Sequence, residues 1–256
     1  MIKIVNIYKS FGDNEVLKGI TTEFYKGKVN QVIGRSGSGK SVLLKLIVGL
    51  LKPTEGEIYY EDVNFLELSG KELRALRMKI GMLFQSSALF DSMTVEQNVS
   101  FPLDMFTNMT HKEKLNRVNY CLERVNLEKV NAKYPSEISG GMQKRVGIAR
   151  AIVLEPEYLF CDEPNSGLDP KTALTIDELI RDITEEKNIT TIVNTHDMNS
   201  VMEHGDNIVL LHHGQLAWRG HRSEVLASDN EVLQRFIFAS PFLERLRKAA
   251  LQQEKG

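Results

Sequence analysis

The sequence is poor in cysteine and tryptophan, with two cysteines and one tryptophan among its 256 residues. Cys121 and Cys161 match no metal-ligand spacing, and Cys161 follows the apolar run Tyr158–Phe160, which is typical of a small core residue. We therefore expect neither a disulfide nor a cysteine metal site. The six histidines are dispersed, and His212 and His213 stand where the pattern predicts a hairpin turn.

The sequence also lacks an excess of either charge and any long apolar run. Lysine and arginine number 32 and aspartate and glutamate 34, for a formal charge of −2, which predicts no nucleic-acid-binding surface. No apolar run approaches the ~20 residues that a membrane-spanning helix needs. The first residues alternate like a strand and do not form the apolar stretch of a signal peptide. The sequence therefore predicts a soluble, cytoplasmic protein.

Short apolar runs alternate with helical stretches, which predicts an α/β fold in which helices cover a sheet. The predicted strands cover residues 2–8, 19–25, 29–33, 57–60, 80–84, 158–162, 190–194 and 207–211. The predicted helices cover residues 40–51 and 170–187. Between about Ala88 and Pro135 no strand signal appears, and apolar residues recur at helical intervals within Thr110–Val125. We interpret this stretch as a helical insertion between two strands of the main sheet.

The end of the sequence, from Ser240 onward, is predicted to be helical and mostly polar. One interpretation of its apolar residues is a stripe that binds a partner. The other is a terminal helix packed loosely on its own domain. The residues of this stripe are Phe242, Leu243, Leu246 and Ala250.

A glycine-rich segment matches the pattern G-x-x-x-x-G-K-[ST] at every fixed position, between a predicted strand and a predicted helix. Its residues are Gly34, Arg35, Ser36, Gly37, Ser38, Gly39, Lys40 and Ser41. Glycines let the backbone curl so that N–H groups point at phosphate, and the following helix adds its positive end. Lys40 would supply charge to the β- and γ-phosphates and Ser41 a hydroxyl to Mg²⁺. The segment therefore predicts nucleotide binding.

Two adjacent carboxylates, Asp162 and Glu163, end the predicted strand Tyr158–Asp162. Neighbouring strand residues point in opposite directions, so the two acids have different tasks. Asp162 suits Mg²⁺ held through its water shell. Glu163 suits a general base or a group that positions the attacking water.

Ser139-Gly140-Gly141 precedes a helical stretch and so predicts a second helix N-terminus able to bind an anion. Because one nucleotide does not need two phosphate cradles, this one would serve a nucleotide held by another copy of the chain. The alternative is a simple helix N-cap.

These motifs, in this order, resemble the ATP-binding cassette family over roughly residues 1–225. The resemblance implies a P-loop NTPase (RecA-like) core with an antiparallel β subdomain and an inserted α-helical subdomain. The implied boundaries are 1–239 for the ATPase domain, about 88–150 for the helical subdomain and 240–256 for the C-terminal helical tail.

The resemblance implies that Glu163 and His196 act in catalysis, with His196 reaching the γ-phosphate. Gln85 would contact both the attacking water and Mg²⁺, and Ser41 and Asp162 are the other implied metal-binding residues. The implied ATP-binding residues are Phe11, Gly34, Arg35, Ser36, Gly37, Ser38, Gly39, Lys40, Ser41, Ser139, Gly140, Gly141 and Asp169.

Phe11 matches the aromatic residue that stacks on adenine in this family, and Asp169 ends the loop that crosses the dimer interface. Three positions deviate from the family pattern, namely Ile138, Met142 and Asn165. The first two keep the serine hydroxyl and the glycine N–H groups, so we expect activity to survive. The resemblance implies a head-to-tail homodimer that holds two ATP molecules and reopens after hydrolysis.

Within the family, the segment between Gln85 and Ser139 is too short for the coiled coil of the DNA-repair members. The segments Gly34–Lys45, Met82–Val95 and Phe101–Leu103 are similar to the ATPase of bacterial phospholipid transporters that work with MCE-domain proteins, the Mla system. This similarity implies phospholipid transport that maintains outer-membrane lipid asymmetry. It also implies peripheral attachment to the cytoplasmic face of the inner membrane.

The implied partners are an integral membrane permease similar to MlaE, an MCE-domain substrate-binding protein and a small soluble regulatory subunit. Two other functions stay open, an importer ATPase for a polar solute such as an amino acid and a regulatory ATPase without transport.

Five residues within 88–95 are too apolar for a plain surface loop, so they predict either a groove for a partner's helix or core packing. They are Ala88, Leu89, Phe90, Met93 and Val95.

Overall fold

The structure, a computed structural model, describes residues 1–238. It separates into two compact units, which are described one at a time. Unit 1 comprises Met1–Leu66 with the segment from Asn194 onward, and unit 2 comprises Glu67–Val193. The predicted tail 240–256 lies outside the described residues, and so does its apolar stripe. Both stay predictions, as do the predicted domain boundaries.

The described chain contains both strands and helices. The strands are β1 (Ile2–Phe11), β2 (Asn14–Phe24), β3 (Val29–Ile33), β4 (Glu55–Tyr60), β5 (Val63–Asn64), β6 (Ile80–Leu83), β7 (Tyr158–Asp162), β8 (Thr190–Thr195), β9 (Asn207–His212) and β10 (Gln215–Gly220). The helices are α1 (Lys40–Ile47), α2 (Gly70–Met78), α3 (Val95–Phe106), α4 (His111–Arg124), α5 (Gly140–Ile152), α6 (Pro170–Lys187), α7 (Met198–His204), α8 (Arg222–Val225) and α9 (Glu231–Ile237). None of the helices within residues 1–238 combines the length and apolarity that crossing a bilayer requires.

Unit 1 contains an antiparallel sheet in the order β2-β1-β4-β5. Ile2 and Ile4, two residues apart on β1, are fully buried because alternate strand residues face the same side. Ile2 lies opposite Phe24 of β2 and Tyr60 of β4, both of which are also buried. The apolar face of this sheet therefore forms one core of the unit.

Unit 1 also contains the parallel pair β3 and β9, to which β10 adds an antiparallel edge. All five residues of β3 are buried, including the polar Asn30 and Gln31. The turn between β9 and β10 passes through His213, as predicted, whereas His212, which was predicted in the same turn, is the last residue of β9. A buried cluster extends from Ile33 and Leu210 at the strand ends to Leu233 on α9. This cluster fixes the end of β3 from which the glycine-rich loop starts.

In unit 2, β6 and β7 pair in parallel, and β8, which crosses the unit boundary, follows β7 in the sheet. Leu83 lies opposite Cys161, so the residues that follow each strand leave the sheet at the same edge. Cys161 is fully buried, which confirms its prediction as a core residue.

Between β6 and β7 the chain forms α3, α4 and α5, and no strand occurs among these described residues. Helix α5 crosses β6 at Gly81, where an added Cβ would lie 2.2 Å from the carbonyl oxygen of Ala151. Helices α3 and α4 each begin with a capping box, at Thr94 and Thr110. The predicted α/β class is confirmed, with an antiparallel four-stranded sheet in addition to the mostly parallel one.

Candidate active site

The glycine-rich loop connects β3 to α1 within unit 1. Gly34, Gly37 and Gly39 have φ angles of 150°, 81° and 102°, a region that side chains other than glycine rarely adopt. At Gly34 space is also limiting, because an added Cβ would lie 2.4 Å from the carbonyl oxygen of Leu211. The loop therefore requires glycine for both its conformation and its packing.

The donors of this loop are arranged for an anion. Lys40 is buried, and its ammonium donates to the carbonyl oxygens of Gly34, at 2.8 Å, and Arg35, at 3.3 Å. The hydroxyl of Ser38 is buried and has no hydrogen-bond partner within the described chain. Gly39 is the N-cap of helix α1 and has no side chain to cap the first N–H groups. A phosphate group would accept hydrogen bonds from these donors, so the loop fits the phosphates of a nucleoside triphosphate.

Unit 2 brings together two of the predicted catalytic residues. The Gln85 side-chain amide donates to the Glu163 carboxylate at 3.1 Å. This contact follows from the parallel register of β6 and β7, which places the residues after each strand side by side. Glu163 has a φ of 49°, a left-handed conformation that is uncommon for a residue other than glycine.

A third residue, Lys144 of α5, binds the main chain of both. Its ammonium donates to the carbonyl oxygen of Gln85 and, at 3.4 Å, to that of Glu163. Burial lowers the pKa of Lys144, an effect that the nearby carboxylates of Glu163 and Asp162 oppose. The sequence did not predict this residue, because its partners are main-chain groups that carry no sequence signal.

The segment after Gln85 is held from the same helix. Ser87 and Ala88 have φ angles of 62° and 45°. The guanidinium of Arg150 donates to both of their carbonyl oxygens, at 2.6 Å and 2.7 Å. Helix α5 thus fixes the backbone of the Gln85 segment through two cations. Ser87 thus has a left-handed conformation, which favours glycine.

Asp162, at the end of β7, is buried. The residues predicted to bind Mg²⁺ offer a hydroxyl (Ser41), an amide (Gln85) and a carboxylate (Asp162). Mg²⁺ prefers such oxygen donors and takes its remaining ligands from phosphate and water, so this donor set fits the ion. Within residues 1–238 no group of three or more histidine, cysteine or acidic side chains is close enough to hold a metal alone.

The predicted signature residues begin α5 and are accessible. Ser139 is the N-cap, and its hydroxyl accepts a hydrogen bond from the N–H of Met142 at 3.3 Å. Ser139 and Gly140 are exposed, and an added Cβ at Gly140 would meet no atom within 4 Å. Ser139 is therefore an N-cap, as one interpretation predicted. The exposed start of α5 also leaves room for an anion, so the second interpretation stays a prediction.

Three other predicted site residues are Phe11, Asp169 and His196. Phe11, at the end of β1, is exposed, with the Lys9 ammonium 4.9 Å from its ring centroid. His196 follows β8 and is exposed. Asp169 caps α6 through its bonds to Thr172, whose hydroxyl and N–H lower the pKa of the Asp169 carboxyl.

An apolar groove of about 420 Å³ lies in unit 2 next to the Gln85 segment. Phe84, Ala88 and Phe90 line it on one side and Phe101 of α3 on another, while Val95 is fully buried. Val95 therefore packs in the core, as one interpretation of the stretch 88–95 predicted, whereas Ala88 and Phe90 line a groove, whose binding of a partner's helix stays a prediction. Arg77 and Arg150 also line the groove.

Comparison with known proteins places these features in a family. A model of the ABC transporter family matches residues 17–166. The probable ribonucleotide transport ATP-binding protein mkl of Mycobacterium leprae is 39% identical over 92% of this chain and 68% of its own length. The protein TRIGALACTOSYLDIACYLGLYCEROL 3, chloroplastic, of Arabidopsis thaliana is 38% identical over 94% of this chain and 74% of its own.

The methionine import ATP-binding protein MetN of Campylobacter jejuni is 39% identical over 95% of this chain and 77% of its own length. Among solved structures, a dimeric ATP-binding cassette, MJ0796, in a post-hydrolysis state with ADP and Pi has a TM-score of 0.79 at 34% identity. That similarity covers 87% of this chain and 99% of the solved one.

Proposed function

The chain belongs to the ABC transporter family as an ATPase whose hydrolysis is coupled to transport, and from this premise we propose that it is the ATP-hydrolysing subunit of a phospholipid transporter. In this proposal it works as a head-to-tail homodimer on the cytoplasmic face of the inner membrane. The observation that carries the hydrolytic part is the Gln85–Glu163 hydrogen bond of 3.1 Å, which presents a carboxylate and an amide together.

The glycine-rich loop and Lys40 bind the triphosphate, with Phe11 against adenine and His196 at the γ-phosphate. Ser41, Gln85 and Asp162 would hold Mg²⁺, which neutralises phosphate charge when it is bound. Water attacks the γ-phosphorus, the bond to the ADP oxygen breaks, and the Glu163 carboxylate accepts the proton of the attacking water. The products are ADP and phosphate.

The second copy supplies Ser139, Gly140 and Gly141 to the nucleotide, with Asp169 at the interface. Two features support this assignment: the exposed start of α5, and the dimeric form of the solved cassette MJ0796. A separate permease, similar to MlaE, would bind the apolar groove at Phe84 and Phe90. An MCE-domain protein and a small regulatory subunit complete the proposed assembly.

Hydrolysis is tested by Glu163→Gln, which keeps the size and the hydrogen bonding of the side chain but removes its basicity. We expect ATP turnover to fall by about 10²–10⁴-fold while ATP binding persists. The measurement is phosphate release at saturating Mg-ATP alongside titration with a fluorescent ATP analogue. Glu157→Gln, a change on an exposed glutamate that pairs with Lys79 in the same unit, is the matched control. Turnover at the parental rate in Glu163→Gln would show that Glu163 has no such role.

Two observations support lipid as the substrate. The segments around the loop and Gln85 are similar to those of phospholipid-transport ATPases, and a relative at 38% identity is named for a glycolipid. The test is to purify the chain with its membrane partner from its own cells and to identify bound molecules by mass spectrometry. A phospholipid bound in stoichiometric amount is the expected result.

The second candidate is import of a polar solute, because MetN, a methionine import protein, is 39% identical over a similar span. In the same purification this candidate predicts an amino acid or another polar solute and no enriched lipid. Such a result would replace the lipid proposal and leave the ATPase assignment intact.

A further inference from the structure

Lys144 is a lysine placed where lysines are rarely found. Only 5% of its surface is exposed, and its ammonium donates to main-chain oxygens of Gln85 and Glu163. Lysine is seldom buried unless its charge is paired, because the ammonium loses its hydration. Burial lowers the pKa of Lys144, and the nearby carboxylates of Glu163 and Asp162 oppose that effect. The buried ammonium makes its hydrogen bonds to the carbonyl oxygens of Gln85 and Glu163.

The partners of Lys144 are the two residues whose side chains meet at 3.1 Å. Strand β6 ends at Leu83 and β7 at Asp162, so Gln85 and Glu163 lie past the hydrogen-bonded part of the sheet. Glu163 also has a φ of 49°, which a side chain of this size disfavours. A charge-assisted hydrogen bond to each carbonyl stabilises this backbone and with it the direction of both side chains.

Helix α5 provides the rigid support for this contact. It begins at the N-cap Ser139 and carries both Lys144 and Arg150, which holds the Gln85 segment at Ser87 and Ala88. The helix that presents the signature residues thus also fixes the hydrolytic pair.

We propose that Lys144 is a positioning residue for ATP hydrolysis, which aligns the Glu163 carboxylate and the Gln85 amide through their main chains. The proposal rests on the hydrolytic role of Glu163 proposed above. It assigns to Lys144 an effect on the rate of the chemical step and none on ATP binding, since its ammonium is engaged by protein carbonyls.

The test is Lys144→Met in the full chain, a change that keeps the length of the side chain and removes its donors. We expect kcat to fall by about 10–100-fold, because small misplacements of catalytic groups have effects of this size. The KM for ATP and the affinity for a fluorescent ATP analogue should stay within about twofold of the parental values. An unchanged kcat, or a loss confined to KM, would overturn the proposal.

Arg145→Met is the matched control, because Arg145 is the next residue of α5 and also donates to main-chain carbonyls. Its partners are the carbonyl oxygens of Asn126, at 2.9 Å, and Val125, at 3.5 Å, in place of those of Gln85 and Glu163. We expect the Arg145 variant to lose thermal stability to a similar degree but to keep its kcat within about twofold. An equal loss of kcat in both variants would reduce Lys144 to a structural residue and overturn the proposal. Should Lys144→Met not fold, Lys144→Gln, which keeps one donor group, is measured against the same predictions.

The double variant Lys144→Met with Glu163→Gln separates this inference from the proposed function. If Lys144 acts through Glu163, its loss should leave the residual turnover of Glu163→Gln unchanged within about threefold. A further tenfold loss would show an independent effect and overturn the proposal. A parental rate in Glu163→Gln alone would instead refute the role of Glu163, whatever the result at Lys144.

Discussion

At the scale of single residues, Lys40 has two competing sets of acceptors. The structure shows its ammonium bound to the carbonyl oxygens of Gly34 and Arg35, which closes the loop around the lysine. A triphosphate offers the same ammonium stronger, charged acceptors. The lysine therefore holds the loop in shape and is already in place for phosphate.

We expect Lys40→Met to weaken ATP affinity by about 10–100-fold, which corresponds to ~1.4–2.8 kcal/mol. The physical reason is the loss of the one side-chain cation that the glycine-rich loop encloses. The measurement is titration with a fluorescent ATP analogue. Lys45→Met, a change at an exposed lysine of the same helix, is the control and should bind normally. Equal affinity in the two variants would contradict the proposed role of the loop.

At the scale of elements, the crossing of β6 and α5 depends on one glycine. An added Cβ at Gly81 would lie 2.2 Å from the carbonyl oxygen of Ala151, a backbone atom that cannot turn aside. At Gly147 an added Cβ would instead lie 2.7 Å from the end of the Leu83 side chain, which can rotate. The same substitution at these two positions therefore meets a rigid neighbour in one case and a flexible one in the other.

We expect Gly81→Ala to lower the free energy of unfolding by about 3 kcal/mol, because β6 and α5 must move apart. Gly147→Ala should change it by less than about 1 kcal/mol, since the helical preference of alanine offsets the displacement of Leu83. Urea unfolding followed by circular dichroism compares the two. A smaller effect at Gly81 than at Gly147 would contradict the close approach seen here.

At the scale of the whole molecule, the proposed dimer depends on the start of α5 in each copy. The Glu163→Gln variant should bind ATP without hydrolysing it quickly, so we expect this variant to dimerise when Mg-ATP is added. Adding Ser139→Ala should weaken this dimer by at least about tenfold, because the hydroxyl at the exposed helix start is lost. Gel filtration with light scattering measures the mass.

Ser139→Ala also removes an N-cap, which by itself costs ~1 kcal/mol of helix stability. Thr110→Ala removes the equivalent cap of α4, where the Thr110 hydroxyl accepts from the N–H of Glu113 at 3.4 Å, and so controls for that loss. We expect it to leave the ATP-dependent dimer intact. If Thr110→Ala and Ser139→Ala weaken the dimer equally, the loss of a helix cap explains both effects. The proposed contact between Ser139 and the nucleotide of the second copy would then be contradicted.

Two elements differ from the prediction because contacts between distant residues determine where they begin and end. The predicted helix 40–51 ends as α1 at Ile47, because Gly49 has a φ of 76° and an added Cβ there would lie 2.3 Å from the Phe65 ring. Strand β10 was not predicted, since its residues are half-buried at an edge and form no apolar run. In both cases contacts with distant residues outweigh the local pattern.

The sequence alone determined the fold class, the glycine-rich loop and the acidic strand end, because each depends on residues that are adjacent or periodic along the chain. The spacing of Gly34 to Ser41 specifies a backbone shape, and the apolar run Tyr158–Cys161 specifies a buried strand that ends at Asp162. Only the tertiary structure revealed that Lys144 binds Gln85 and Glu163. Gln85 is 59 residues away from Lys144 and offers a main-chain oxygen, a group that every residue type carries. Such a contact leaves no sequence pattern and becomes visible only when α5, β6 and β7 pack together.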